Sequence, residues 1–144
     1  MSGEGPKTHG AESSDEARSA RCGHIAPAQR IWLHDQGEPI FGPGTLRLLV
    51  LVGEAGSLHR AAKEMGMAYS KAWRIVKDAE DHLGFKLLER QIGGAGGGGS
   101  VLTAEARGLV ASFAAMRAEA DANLRRLFEK YFADEPFAAP QGTK

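Results

Sequence analysis

Apolar residues recur at steps of three and four in four stretches of the chain. Leu46, Leu49, Val50 and either Val52 or Gly53 mark a helix over Thr45–Ala55, entered through Gly42-Pro43-Gly44 and closed by Gly56. Ser57 is placed to cap a second helix, Leu58–Met65, whose inner face is Ala61, Ala62 and Met65. Gly66 breaks that helix, and a third runs from Tyr69 to His82 with Ala72, Ile75, Val76 and Ala79 along it. Trp73 is read as a core anchor of this helix rather than a base-stacking group. Thr103 with Ala104-Glu105-Ala106 opens a fourth helix that continues to about Phe132, with Glu105 in its dipole-favoured first turn.

Between and before these helices the period shortens. A strand is expected over Arg30–His34, where Ile31 and Leu33 alternate but Trp32 breaks the pattern, followed by a turn at Asp35–Pro39. Leu87–Gln91 reads as a strand, Gly93–Gly99 as an irregular tip, and Ser100–Leu102 as a short returning strand. Residues 1–28 show no periodicity and too little apolar surface to offset ordering, so a disordered tail is expected there. The fold class is mainly α with a small β hairpin, a winged helix-turn-helix with a long C-terminal dimerisation helix. The domains divide as 1–28 tail, 29–102 winged helix-turn-helix, 103–133 long helix and 134–144 flexible C-terminus.

Composition adds bounds. The chain has 144 residues, 42% hydrophobic and 25% charged, which suits one globular domain with tails. No apolar run approaches the roughly 20 residues that span a bilayer. The N-terminus lacks an apolar core, so no signal peptide is expected and the chain is placed in the cytoplasm. Cys22 is the single cysteine and is read as a bystander thiol. The net charge is zero, but from Ser57 to Lys77 five basic residues face the single acid Glu64, a local excess of four positive charges. Local charge decides whether a surface attracts phosphates.

That basic segment is also where the packing conditions of a helix-turn-helix are met. Ala61 and Ala62 are small where a second helix crosses, Gly66 tolerates a left-handed turn, and Met67, Ala72 and Ile75 or Val76 supply the inner face. The outward N-terminal turns of the second helix would then enter a major groove: Ala68, Tyr69, Ser70, Lys71 and Arg74. Ser57, His59, Lys63 and Lys77 lie where phosphate contacts are expected. A wing follows directly. Its tip at Gly96, Gly97 and Gly98 would bring the main chain close to phosphates, with Arg90 at its base. A nucleotide phosphate loop is disfavoured, because no lysine follows the glycines and a strand precedes the next helix.

Along the fourth helix Leu109, Phe113, Met116, Ala120, Leu124, Leu127 and Tyr131 form one apolar seam. Such a helix is longer than the domain needs, and a homodimer would match the two-fold symmetry of operator half-sites.

Gly42-Pro43-Gly44, Leu46–Val52, Gly56-Ser57, the block Ala61-Ala62-Lys63-Glu64-Met65-Gly66-Met67 and Tyr69-Ser70-Lys71-Ala72-Trp73 resemble the amino-terminal domain of ModE-type molybdate-responsive regulators. The Gly93–Gly99 tract between Gln91-Ile92 and Val101-Leu102-Thr103 resembles it as well. Gly56–Arg90, ending in Leu87-Leu88-Glu89-Arg90, is similar more broadly to the DNA-binding domain of LysR-type regulators. The resemblance implies operator binding as a homodimer and control of molybdate transport or molybdoenzyme genes. The chain ends soon after the long helix, so molybdate sensing is expected only through another protein. Two other readings use the same fold: a non-specific or architectural DNA binder, and a protein-interaction module. An enzyme is not expected, and neither is a cofactor or a metal. Asp78, Glu80 and Asp81 read as a solvated helix end, and His24, His34, His59 and His82 lack ligand spacing.

Overall fold

The computed structural model describes residues 25–92 and 99–135. In order, the elements are β1 (Leu33–Asp35), β2 (Glu38–Phe41), α1 (Pro43–Ala55), α2 (Leu58–Glu64), α3 (Tyr69–Leu83), β3 (Leu88–Gln91), β4 (Gly99–Leu102) and α4 (Ala104–Phe132). The architecture is mainly α, with two antiparallel hairpins, β1–β2 and β3–β4. The chain divides into two compact units, one of them Arg30–Glu119.

Within Arg30–Glu119, one core collects the inner faces of α1, α2 and α3. Phe41, Leu48, Leu49, Val52 and Leu87 are its largest fully buried side chains. The sequence pattern placed these helices within one or two residues. Gly56 and Gly84 end α1 and α3 in the left-handed conformation, φ 69° and 81°, each bonding back to the last turn. Glycine adopts that conformation without the Cβ penalty, which is why both helices stop there.

The N-terminal segment departs from expectation. The strand begins at Leu33, not Arg30, and it is half of a hairpin whose second strand, Glu38–Phe41, starts inside the turn expected at Asp35–Pro39 and includes Ile40 and Phe41, for which no strand is expected. A register shift between Leu33 and His34 explains why alternation was obscured. Trp32 precedes the strand, and its ring lies over Gly42, where a Cβ would collide with it. The hairpin is fastened to the end of α3 by His82 Nδ1 and Asp35 Oδ2, 3.0 Å apart.

Phe113 corrects the seam reading. It is 2% exposed inside its own domain, edge-on to Phe41 with ring centroids 5.0 Å apart. Leu109 packs against the same core. These positions of α4 close the core formed around β2, because the helix starts directly after β4 and passes over Phe41. Met116 is exposed.

The other unit includes the described residues 25–29 and 120–135. In it Leu127 and Tyr131 are exposed, Ala120 and Leu124 are half-buried, and the rings of Phe128 and Phe132 stack with centroids 5.0 Å apart. The tail expected at 1–28 lies almost wholly outside the described residues, Cys22 included, as do Pro136 and Pro140.

Candidate nucleic-acid interface

α2 starts where Ser57 turns from extended backbone into helix, its hydroxyl accepting from the Arg60 amide at 3.3 Å. Its inner face is Ala61 and Ala62, 0% and 1% exposed. Two alanines let α3 cross closely at this point. The turn is tied by Met67 N–H to the Ala62 carbonyl and Gly66 N–H to the Lys63 carbonyl, both 3.0 Å, with Gly66 at φ 68°. α3 then begins at Tyr69 behind an Ala68 that offers no side-chain cap.

This arrangement sets the outward face. Ala72, Val76 and Ala79 are buried and Ile75 packs against the same core, so the opposite side of α3 points outward. Ala68, Tyr69, Ser70, Lys71 and Arg74 are all exposed. His59 and Lys63 are exposed on α2, and Ser57 is half-buried by its cap. Lys77 is also half-buried and pairs with Asp81 at 3.6 Å, so it is partly neutralised within its own helix. Among the described residues Lys63, Lys71, Arg74 and Arg90 form no ion pair with an acid. They leave a positive surface uncompensated.

The wing stands beside α3. β3 and β4 pair in register, Leu88 with Leu102 and Arg90 with Ser100. Gly99, expected in the irregular tip, belongs to β4. It passes so close to α1 that a Cβ there would strike the Gly56 carbonyl oxygen. The next residue donates from its amide to that same oxygen at 2.9 Å. Thr103 fixes the base of the wing: its hydroxyl donates to the Lys86 carbonyl at 2.6 Å and accepts from the Ala106 amide at 3.0 Å, while its own amide donates to the Leu87 carbonyl. Gly96, Gly97 and Gly98 lie outside the described residues. Between helix and wing opens a recess of about 420 Å³, lined by Ser57, His59, Tyr69, Arg90 and Ser100 among others.

Residues 44–107 match the family described as bacterial regulatory helix-turn-helix protein, lysR family. The chain is 34% identical over 101 residues to the molybdenum-pterin-binding protein MopB of Rhodobacter capsulatus, covering 70% of this chain and 37% of that protein. It is 35% identical over 85 residues to the molybdenum transport protein ModE of Azotobacter vinelandii, 59% of this chain and 32% of that one. Over 61 residues it is 38% identical to the DNA-binding transcriptional dual regulator ModE of Escherichia coli, 42% of this chain and 23% of that one. Residues 44–107 are thus similar to the lysR-family helix-turn-helix domain, and the aligned part of the chain is similar to ModE-type proteins. The chain spans between about a quarter and just over a third of the length of the curated relatives it matches.

The geometry of this helix-turn-helix and wing also shows what the sequence pattern does not reveal. Trp73 is not a core anchor: it is 52% exposed on the flank of α3 that faces the wing. Glu80 is not a solvated end. Its carboxylate accepts from the Leu87 amide at 2.7 Å and lies 3.7 Å from Lys86 Nζ, with the side chain 10% exposed. His59 and Tyr69 stack face to face, a contact that spacing alone does not reveal because a turn separates them. No helix among the described residues is long and apolar enough to cross a membrane.

Proposed function

We propose that this chain is a sequence-specific transcriptional regulator that binds an operator in duplex DNA as a homodimer. The first turns of α3 enter the major groove, and the wing lies along the adjacent backbone. One observation carries this reading: Tyr69, Ser70, Lys71 and Arg74 stand exposed together at the start of α3, with the two cations free of acidic partners among the described residues. An arginine at this place suits two-point contact with a guanine edge, and lysines suit phosphates. The names of the matched relatives, molybdenum transport and molybdenum-pterin binding, support molybdate transport or molybdoenzyme genes as the target class. Exposed Leu127 and Tyr131 support pairing of α4 with a second copy.

The test is selection of duplexes from a random-sequence pool by the full chain, followed by titration of the selected duplex and of a shuffled one. A preference of roughly a thousandfold or more is expected for a specific binder. Equal affinity for both would make the chain an architectural binder. Retention of no duplex would make it a protein-interaction module.

A further inference from the structure

We propose that Trp73 reads sequence: with Tyr69 it forms an apolar recess on the exposed face of the first turns of α3 that receives the 5-methyl group of thymine in the major groove. This rests on the DNA-binding reading above.

Tyr69 and Trp73 are one turn apart on α3 and so share one side of it. They are 39% and 52% exposed, in a domain whose other large apolar side chains on α1–α3 mostly face the core. With Ser70 and Arg74 they line an open recess of about 330 Å³. On its other side Trp73 borders a second recess shared with Leu88, Arg90 and Ser100 of the wing. Exposed aromatic surface of this kind marks an interface. Its surroundings select the partner: Lys71, Arg74 and Arg90 form no ion pair among the described residues, and although Glu80 and Glu89 line the wing-side recess, Lys77 and Lys86 line it as well, so the patch favours a polyanion over a neutral or cationic protein face.

Duplex DNA offers an aromatic side chain two kinds of apolar surface. Base faces are stacked, and exposing one costs a few kcal/mol per step. The thymine methyl is already exposed in the major groove, and no other base carries one there. An indole on the flank of a helix lying in that groove therefore meets methyl groups without unstacking anything. The same contact separates thymine from cytosine by shape, while Arg74 beside it addresses guanine by hydrogen bonds.

The experiment uses the full chain and the duplex selected from the random pool, compared with the same duplex carrying deoxyuridine at each thymine. Wild type should lose about fourfold in affinity per contacted methyl, the value of one buried methyl group. Trp73→Ala should bind the thymine and uracil duplexes equally, and Trp73→Phe should keep part of the difference. A Trp32→Phe variant leaves Trp73 as the remaining indole of the two in the chain, and its emission should become shielded from acrylamide when the duplex is added. This readout decides the matter if Trp73→Ala fails to fold. Trp73→Ala keeping the wild-type ratio, or Trp73 staying as open to acrylamide in the complex, overturns the assignment alone. A chain that retains no duplex overturns both readings.

Discussion

The His59 ring lies flat against the Tyr69 ring, with centroids 3.8 Å apart and planes 2° from parallel. The pair bridges α2 to the first residue of α3 across the Gly66 turn. Both rings are exposed, so the contact contributes little to stability, about 0.5 kcal/mol at the low end for aromatic pairs. Tyr69→Ala should therefore leave thermal unfolding nearly unchanged while weakening DNA binding about tenfold, and Tyr69→Phe should restore most of the loss. A large drop in melting temperature with unchanged DNA affinity would make the pair purely structural.

Gly99→Ala and Gly44→Ala should move stability in opposite directions. A Cβ at Gly99 runs into backbone, the Gly56 carbonyl, which has nowhere to go. The strain should cost about 1–3 kcal/mol. A Cβ at Gly44 meets nothing within 4 Å, in the first turn of α1. Alanine there should stabilise by about 0.5–1 kcal/mol by reducing the freedom of the unfolded chain. Urea unfolding of the two variants checks both signs.

Thr103→Val keeps the shape of the side chain but removes the hydroxyl of a buried residue, which bonds Lys86 and Ala106. The Lys86 carbonyl would lose this donor, and α4 would lose its N-terminal cap. The expected loss is about 1–3 kcal/mol. Thr103→Ser should recover most of it. Equal stability of Val and Ser variants would show that the hydroxyl does nothing for the fold.

Binding should weaken linearly in log–log form as salt rises, because each neutralised phosphate releases counterions. Lys63→Ala and Lys71→Ala should each lower that slope by about one and weaken all sequences alike. Arg74→Ala should cost about 1–3 kcal/mol on the selected duplex and less on a shuffled one. An equal loss on both would make Arg74 a phosphate contact. Titrations at several salt concentrations separate these cases.

Phe113 and Leu127 should separate folding from assembly. Phe113→Ala opens the core beside Phe41 and should cost about 3–5 kcal/mol, read by denaturant unfolding. Leu127→Asp alters an exposed side chain, 44% accessible, and should leave unfolding of a single subunit nearly unchanged. If α4 pairs with a second copy, sedimentation should show that variant dissociating at concentrations where wild type stays dimeric.

The helices and the turn between α2 and α3 were legible because each rests on local rules: an apolar period, a capping Ser57, a glycine at φ above zero. The same rules cannot see contacts made across the chain. The β1–β2 hairpin was half hidden because its register slips beside Leu33 and because Pro39 reads as a turn residue. Phe113 looked like a dimer contact since its spacing continues the seam; only the position of Phe41 shows that it is already covered. Trp73 was assigned inward on the habit of large aromatic residues, whereas the helix had already filled its inner side with Ala72 and Val76. Glu80 looked solvated because its partner, the Leu87 amide, is backbone and carries no sequence signal.

Gly56 ends one helix, leads into Ser57 at the start of the next, and receives the Ser100 amide. The wing strand is thus pinned, like one arm of a caliper, to the junction from which α2 and then α3 follow. If α3 and the wing both meet DNA, that tether limits how far the pair can open to follow a distorted duplex. The domain should prefer sites whose groove widths already match that opening, and so discriminate by the shape of the double helix at positions it never touches.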